Sequence, residues 1–207
     1  MSWLASLRKF VRTKIAVVAK LLDKVSGGRV SPDTITWTGV AAYLPIAVLI
    51  GYGKLDLAAV LLIFFGLFDV LDGELARYKK TASPRGMMID ASTDRVKEVL
   101  IYSGVVYYLS QGAYYAWTFI PLIACGATIS VSYIKAKGEV AYAIKHRPDD
   151  HHKLNRLYHE GLVPFETRIA IIIFGLLIDQ VLLASGVVAV FAVISIFERI
   201  SFISKKV

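Results

Sequence analysis

The chain has 207 residues, of which 56% are hydrophobic and 19% charged, and 24 Lys and Arg against 16 Asp and Glu leave a formal charge of +8. Its mean hydropathy is +0.59, and its apolar share exceeds the roughly 45–50% of an ordinary soluble domain. These figures exclude a soluble enzyme, a disordered tail and a secreted disulfide scaffold, and they predict an all-α polytopic membrane protein with a basic face. Cys125 is the single cysteine, so no intrachain disulfide can form.

In residues 3–24, Leu4, Leu7, Phe10, Val11, Ile15, Val18, Leu21 and Leu22 fall on one side of a helix. Arg8, Arg12, Lys20 and Lys24 lie largely elsewhere. That pattern predicts an amphipathic helix lying in the membrane interface, with a surface helix packed on the protein as the alternative. Arg8, Lys9, Arg12 and Lys14 interrupt the segment before a long apolar core develops, which argues against a signal peptide. Gly27-Gly28 and Ser31-Pro32 then break the helix. Residues 1–30 thus read as a juxtamembrane helix and linker, and 31–207 as the membrane domain.

Five apolar stretches follow, at 34–52, 55–71, 114–134, 165–178 and 181–203, to be matched to a hydrocarbon core that takes ~20 helical residues to cross. A sixth, Val99 to Leu109, is long enough only if its helix extends backwards through Met87–Lys97, which carries Asp90, Asp94 and Arg95. With six spans and the N-terminus inside, the outer turns fall near 51–56, 109–114 and 179–186. Lys54 is their only basic residue. Such asymmetry is the positive-inside pattern. It predicts six transmembrane helices in the cell membrane, both termini in the cytoplasm and the basic face turned inward. The last outer turn is open between Asp179-Gln180 and Ser185-Gly186. The stretch 145–163 is polar and carries the four histidines, which read as a solvated loop.

Carboxylates that hydropathy alone would forbid occur between Phe68 and Arg95. Asp69 and Asp72 are three residues apart and share a helix face; Asp90 and Asp94 are four apart and share another. An intramembrane charge costs on the order of 2.5–3.5 kcal/mol on insertion scales, and four converging carboxylates repel. Hard cations such as Mg²⁺ or Mn²⁺ relieve that repulsion, and four carboxylates can hold two of them. Ion pairing with Arg77, Arg85 and Arg95 is the competing reading.

The full run is Asp69-x2-Asp72-Gly73-x2-Ala76-Arg77-x8-Gly86-x3-Asp90-x3-Asp94. It resembles the signature of the CDP-alcohol phosphotransferase family at all eight fixed positions, a match expected by chance on the order of 10⁻⁹ to 10⁻¹⁰ per starting point. The resemblance implies a six-helix membrane core preceded by an interfacial helix. It implies metal-dependent transfer from a CDP-activated lipid, CDP-diacylglycerol or CDP-archaeol, to a hydroxyl acceptor, with release of CMP. By the resemblance Asp69, Asp72, Asp90 and Asp94 are ligands of two Mg²⁺ or Mn²⁺ ions, and Asp94 is also the general base. Gly73 allows close backbone approach to the nucleotide, and Arg77 contacts the diphosphate. Gly86 reads equally well as a helix-packing glycine.

Ser31-Pro32-Asp33-Thr34-Ile35-Thr36 resembles the family's nucleotide element. It brings Asp33, Thr34, Ile35 and Thr36 to the CDP-lipid, Asp33 and Thr36 foremost, with Ser83 as a further contact. Read alone, it is a helix start capped by Ser31 or Asp33. Ser132-Tyr133-Ile134-Lys135-Ala136-Lys137-Gly138-Glu139 resembles a stretch of the inositol-phosphate-using members. Lys135, Arg168 and Arg199 are then expected around the acceptor's phosphate, although cations at inner helix ends are also what the positive-inside rule places there. Inositol phosphate is the first acceptor expected, then glycerol 3-phosphate, then serine. Pro164-Phe165-Glu166-Thr167-Arg168 departs from the charged run usual in those members, as do Lys137 and Gly138. The expected partners are the CDP-activated lipid, a phosphorylated polyol and membrane lipids, with a homodimer as a possible assembly and no nucleic acid. A divalent-cation transporter is the rival class, but the carboxylates lie near one face and in one half of the chain, without the internal repeat a transporter shows.

Overall fold

Each helix boundary has a local cause. The computed structural model describes residues 2–146 and 164–205, and among them every regular element is helical. Helix α1 (Ser2–Val25) ends at Gly27 and Gly28, whose φ values of 61° and 78° lie in the left-handed region that glycine tolerates. Helix α2 (Pro32–Gly51) starts with Ser31 as its cap, the Ser31 hydroxyl accepting from the Thr34 N–H at 3.1 Å. Between the two sequence candidates, the cap is therefore Ser31. Helix α3 (Leu55–Tyr78) follows a tight turn at Gly53, and helix α4 (Pro84–Ser110) is capped by Ser83 with Pro84 in the first turn. A short 3₁₀ turn (Tyr115–Trp117) leads into α5 (Phe119–His146), and α6 (Phe165–Leu177) and α7 (Val181–Ser204) complete the bundle.

Helix α4 is continuous over 27 residues, so the charged segment 87–97 and the apolar segment 99–109 belong to one rod. The last turn lies at Ile178–Gln180, and Ser185 and Gly186 sit inside α7. Among the described residues, three segments are long and apolar enough to cross a membrane by length and composition: Pro32–Gly51, Tyr115–Lys145 and Val181–Ser204. Helices α3 and α4 carry the motif charges at one end, and α6 has 13 residues. The stretch 147–163, with three of the four histidines, lies outside the described residues.

The core forms where α2, α3, α4, α6 and α7 meet, around Tyr43, Ile46, Leu62, Ile101, Val105, Ile172 and Val188. Helices α2 and α4 pack backbone to backbone at Gly104, where a methyl group would stand 2.5 Å from the Ala47 carbonyl oxygen. The outward faces of the spans are apolar, with Trp37, Leu44, Leu122, Val190 and Phe197 among the exposed side chains. A soluble monomer rarely shows so much contiguous apolar surface. Helix α1 packs Ala19 and Leu22 against Ile35, Leu71 and Leu75, while Phe10, Val17, Val18 and Leu21 remain exposed. Lys79 fastens this arrangement: its ammonium donates to the carbonyls of Gly28 (2.8 Å) and Val30 (2.7 Å) and pairs with Asp23 at 2.9 Å.

Candidate active site

Alternation of helix direction brings the start of α2, the end of α3 and the start of α4 to the same end of the bundle. They enclose, with α6, a cavity of about 920 Å³. Asp69, Asp72, Asp90 and Asp94 all line it, as do Gly73, Arg77, Ser83 and Gly86. Its wall changes character along its length. Asp33, Thr36, Arg77 and Arg85 belong to the polar part, while Tyr43, Leu62, Ile63, Ile169 and Ile173 make an apolar flank.

Within the nucleotide element the side chains divide. Asp33 and Thr36 line the cavity, and Thr36 donates to Asp72 at 2.5 Å, fixing a carboxylate that is only 6% exposed. Thr34 is turned to Ser31, with the two hydroxyls 2.9 Å apart. Ile35 packs on Ala19 and Leu75. Alternate positions of a helix start face different neighbours, so only part of the element meets the cavity. Gly73 has only its own Arg77 guanidinium near the place a Cβ would take, and Gly86 only the Ser83 hydroxyl. Neither glycine serves helix packing here; both leave backbone open to the cavity.

The ion pairs differ from those expected. Arg77 pairs with Glu74 at 2.7 Å and Arg85 with Asp33 at 2.9 Å, so neither meets the four aspartates. Arg95 reaches Asp94 at 3.7 Å and Glu98 at 3.1 Å. The principal counter-charge is Lys97, absent from the sequence expectations. It is 0% exposed, donates to Asp69 and stands 3.6 Å from Asp94. Its signal was present: Asp90, Asp94, Lys97 and Ile101 continue one helix face, and Lys97 precedes an apolar run. Glu98, 1% exposed and likewise absent from the sequence expectations, binds Arg168 at 3.1 Å as well as Arg95.

The three cations expected at an acceptor phosphate are each engaged within the protein. Arg168 is 4% exposed and held by Glu98; Arg199 donates to the Val131 carbonyl at 3.3 Å. Among the described residues the Nε of each has no hydrogen-bond partner. Lys135 is engaged with Glu139, one turn along its own helix, at 3.7 Å. Arg95 joins this group, its guanidinium bonded to Ser132 and stacked over Phe165 at 5.3 Å.

The donor set fits hard divalent cations. It is made of carboxylate oxygens from two facing helices, and Asp94 Oδ1 is buried without a hydrogen-bond partner among the described residues. As the side chains stand, no three described His, Cys, Asp or Glu side chains are grouped to hold one ion; the Lys97 ammonium stands between Asp69 and Asp94.

Comparison with known proteins identifies the family. Residues 29–198 match the family model described as CDP-alcohol phosphatidyltransferase. The chain is 34% identical over 113 residues to the phosphatidylinositol phosphate synthase of Mycobacterium marinum, an alignment covering 54% of this chain and 48% of that protein. To the enzyme of the same name from Corynebacterium glutamicum it is 31% identical over 137 residues, covering 65% and 61%. The chain thus spans about half to three-fifths of the length of these curated relatives. Crystal structures of the Mycobacterium tuberculosis phosphatidylinositol phosphate synthase share the fold at 24% identity. The form with CDP-DAG bound gives a TM-score of 0.77 over 91% of this chain and 92% of that one. The complex with manganese and citrate gives 0.78 over 92% and 88%. The chain belongs to the CDP-alcohol phosphatidyltransferase family.

Proposed function

We propose that this family member transfers a phosphatidyl-type group from a CDP-activated lipid to a phosphorylated polyol, with inositol phosphate as the acceptor, and releases CMP. The observation that carries this reading is the single cavity in which four carboxylates and a polar nucleotide element adjoin an apolar flank. A substrate that is a nucleotide diphosphate at one end and a hydrocarbon at the other requires that juxtaposition. The names of the matched relatives support the acceptor.

Asp69, Asp72, Asp90 and Asp94 would hold two Mg²⁺ or Mn²⁺ ions. When bound, such ions supply neutralisation of the diphosphate and of the departing CMP. Asp33 and Thr36 bind the nucleotide, and Thr36 keeps Asp72 oriented. Gly73 and Gly86 let the nucleotide approach the backbone. Arg77 turns from Glu74 to the diphosphate, for which its planar fork is suited. The acceptor hydroxyl attacks the lipid-side phosphorus, the bond to CMP breaks, and Asp94 takes the hydroxyl proton. Arg168 and Arg199, with Lys135, receive the acceptor's phosphate through charge-assisted bonds.

The same reading sets the membrane arrangement. Helices α2 to α7 are the six spans, α1 lies in the interface, and the site faces the cytoplasm with both termini. The lone basic residue of the outer turns, Lys54, supports that orientation. Residues 1–30 form the juxtamembrane segment and 31–207 the catalytic membrane domain.

An acceptor screen in detergent, following CMP released from CDP-diacylglycerol or CDP-archaeol, tests the proposal. Release with inositol phosphate, lost in chelator and restored by Mn²⁺, is expected. Undiminished release after exhaustive metal removal would overturn the metal-dependent reaction, and release with serine but not with inositol phosphate would overturn the acceptor.

A further inference from the structure

Lys97 has no part in the transfer proposed above, yet it is the cation in closest contact with the motif carboxylates. It is fully buried, donates to Asp69, stands 3.6 Å from Asp94 and lies 5.7 Å from the centre of the Tyr43 ring. Asp69 is on α3 and Asp94 on α4, so the ammonium joins the two helices that carry the motif. Four carboxylates facing one cavity repel each other; a cation tethered among them offsets part of that repulsion. The Asp94 oxygen that faces Lys97, Oδ1, lacks a hydrogen bond among the described residues. One of the carboxylates facing Lys97 is thus incompletely satisfied by it.

A divalent cation drawing oxygens from Asp69 or Asp94 and an ammonium touching the same oxygens are like charges in a confined, poorly hydrated space. Both cannot hold those oxygens at full strength. The lysine stem is flexible and its head is a point charge, so it can swing away without moving the backbone. We propose that Lys97 is a tethered counter-ion: it holds the carboxylate cluster of α3 and α4 together in the metal-free protein and yields its place to an incoming divalent cation. The inference rests on the metal-dependent reading above and adds a consequence to it: Lys97 stabilises the empty site and weakens its grip on metal.

Full-length Lys97→Met and Lys97→Arg proteins in detergent test this, with Mn²⁺ as the probe. Binding is read from the electron paramagnetic resonance of free Mn²⁺, and stability from melting with and without saturating Mn²⁺. K97M is expected to bind Mn²⁺ about ten-fold tighter than the parent or better, because a competing charge is gone. Without metal it should melt below the parent, and with saturating Mn²⁺ the gap should close. Recovery of K97M only when Mn²⁺ is present throughout would support the inference equally. K97R keeps the cation and should bind Mn²⁺ no tighter than the parent. Unchanged or weaker Mn²⁺ binding by K97M overturns the inference alone, since the parent still binds. So does an equal loss of stability with and without Mn²⁺, including failure to recover K97M under saturating Mn²⁺, which would make Lys97 a fixed structural pair. If the parent itself takes up no Mn²⁺, the metal-dependent reading fails, and the inference with it.

Discussion

Replacing Glu98 by Gln removes one negative charge from a deeply buried ionic group of the bundle. Glu98 is 1% exposed and faces Arg168 and Arg95, each at 3.1 Å. Two unit charges 4 Å apart interact by about 4 kcal/mol at the effective dielectric that suits protein interiors. Arg95 keeps partial access to water and a bond to Ser132, so its loss is small. Arg168 has little exposure and no other ion pair among the described residues, so it bears most of the penalty. Breaking such a buried pair from one side costs about 3–5 kcal/mol. For a chain of this size that corresponds to roughly 6–20 °C in Tm. Unfolding in detergent should show it for Glu98→Gln and, to a similar extent, for Arg168→Gln. The double variant should lose much less than the sum, with a coupling of about 2–3 kcal/mol. Turnover adds a second reading: Glu98→Gln should raise the acceptor KM, because Arg168 is no longer oriented, while the CDP-lipid KM changes little. Additive single effects, or a Glu98→Gln Tm within a degree or two of the parent, would refute the reasoning.

Asp94→Asn should keep its fold and CDP-lipid binding yet lose about 10²-fold or more in CMP release, since an amide cannot take the hydroxyl proton; parental turnover would remove Asp94 from that role. Gly104→Ala should cost about 1–3 kcal/mol, because the added methyl meets the Ala47 backbone, which cannot rotate away. Gly126→Ala, with nothing within 4 Å of the new methyl, serves as the tolerated control in the same melting assay. In a Cys125→Ser background, a cysteine at position 54 should react with an impermeant thiol reagent from outside intact cells, and one at position 80 only after lysis. The reverse pattern would invert the topology.

Local chemistry made much of this protein legible in its sequence. Ser31-Pro32 marks a helix start because a hydroxyl followed by proline satisfies a first turn in any context. The spacing of Asp69, Asp72, Asp90 and Asp94 fixes two shared faces because helical periodicity is a property of the backbone alone. The continuity of α4 was conditional in the sequence, since a charged half and an apolar half have no common pattern; packing against α2 and α5 decided it. What the sequence could not assign was which charge meets which. Arg77, Arg85 and Arg95 were all candidates for the aspartates, yet Arg77 turned to Glu74 and Arg85 to Asp33. Lys97 found Asp69 28 positions away, and Glu98 found Arg168 across to α6. Such pairings depend on helix rotation and distance, which arise from the fit of Gly104 on Ala47 and of the apolar core. Ionic contacts at 3 Å are therefore set by packing far from the charges themselves. For the same reason, the cavity that joins carboxylates to an apolar flank exists only once α2, α3, α4 and α6 have packed.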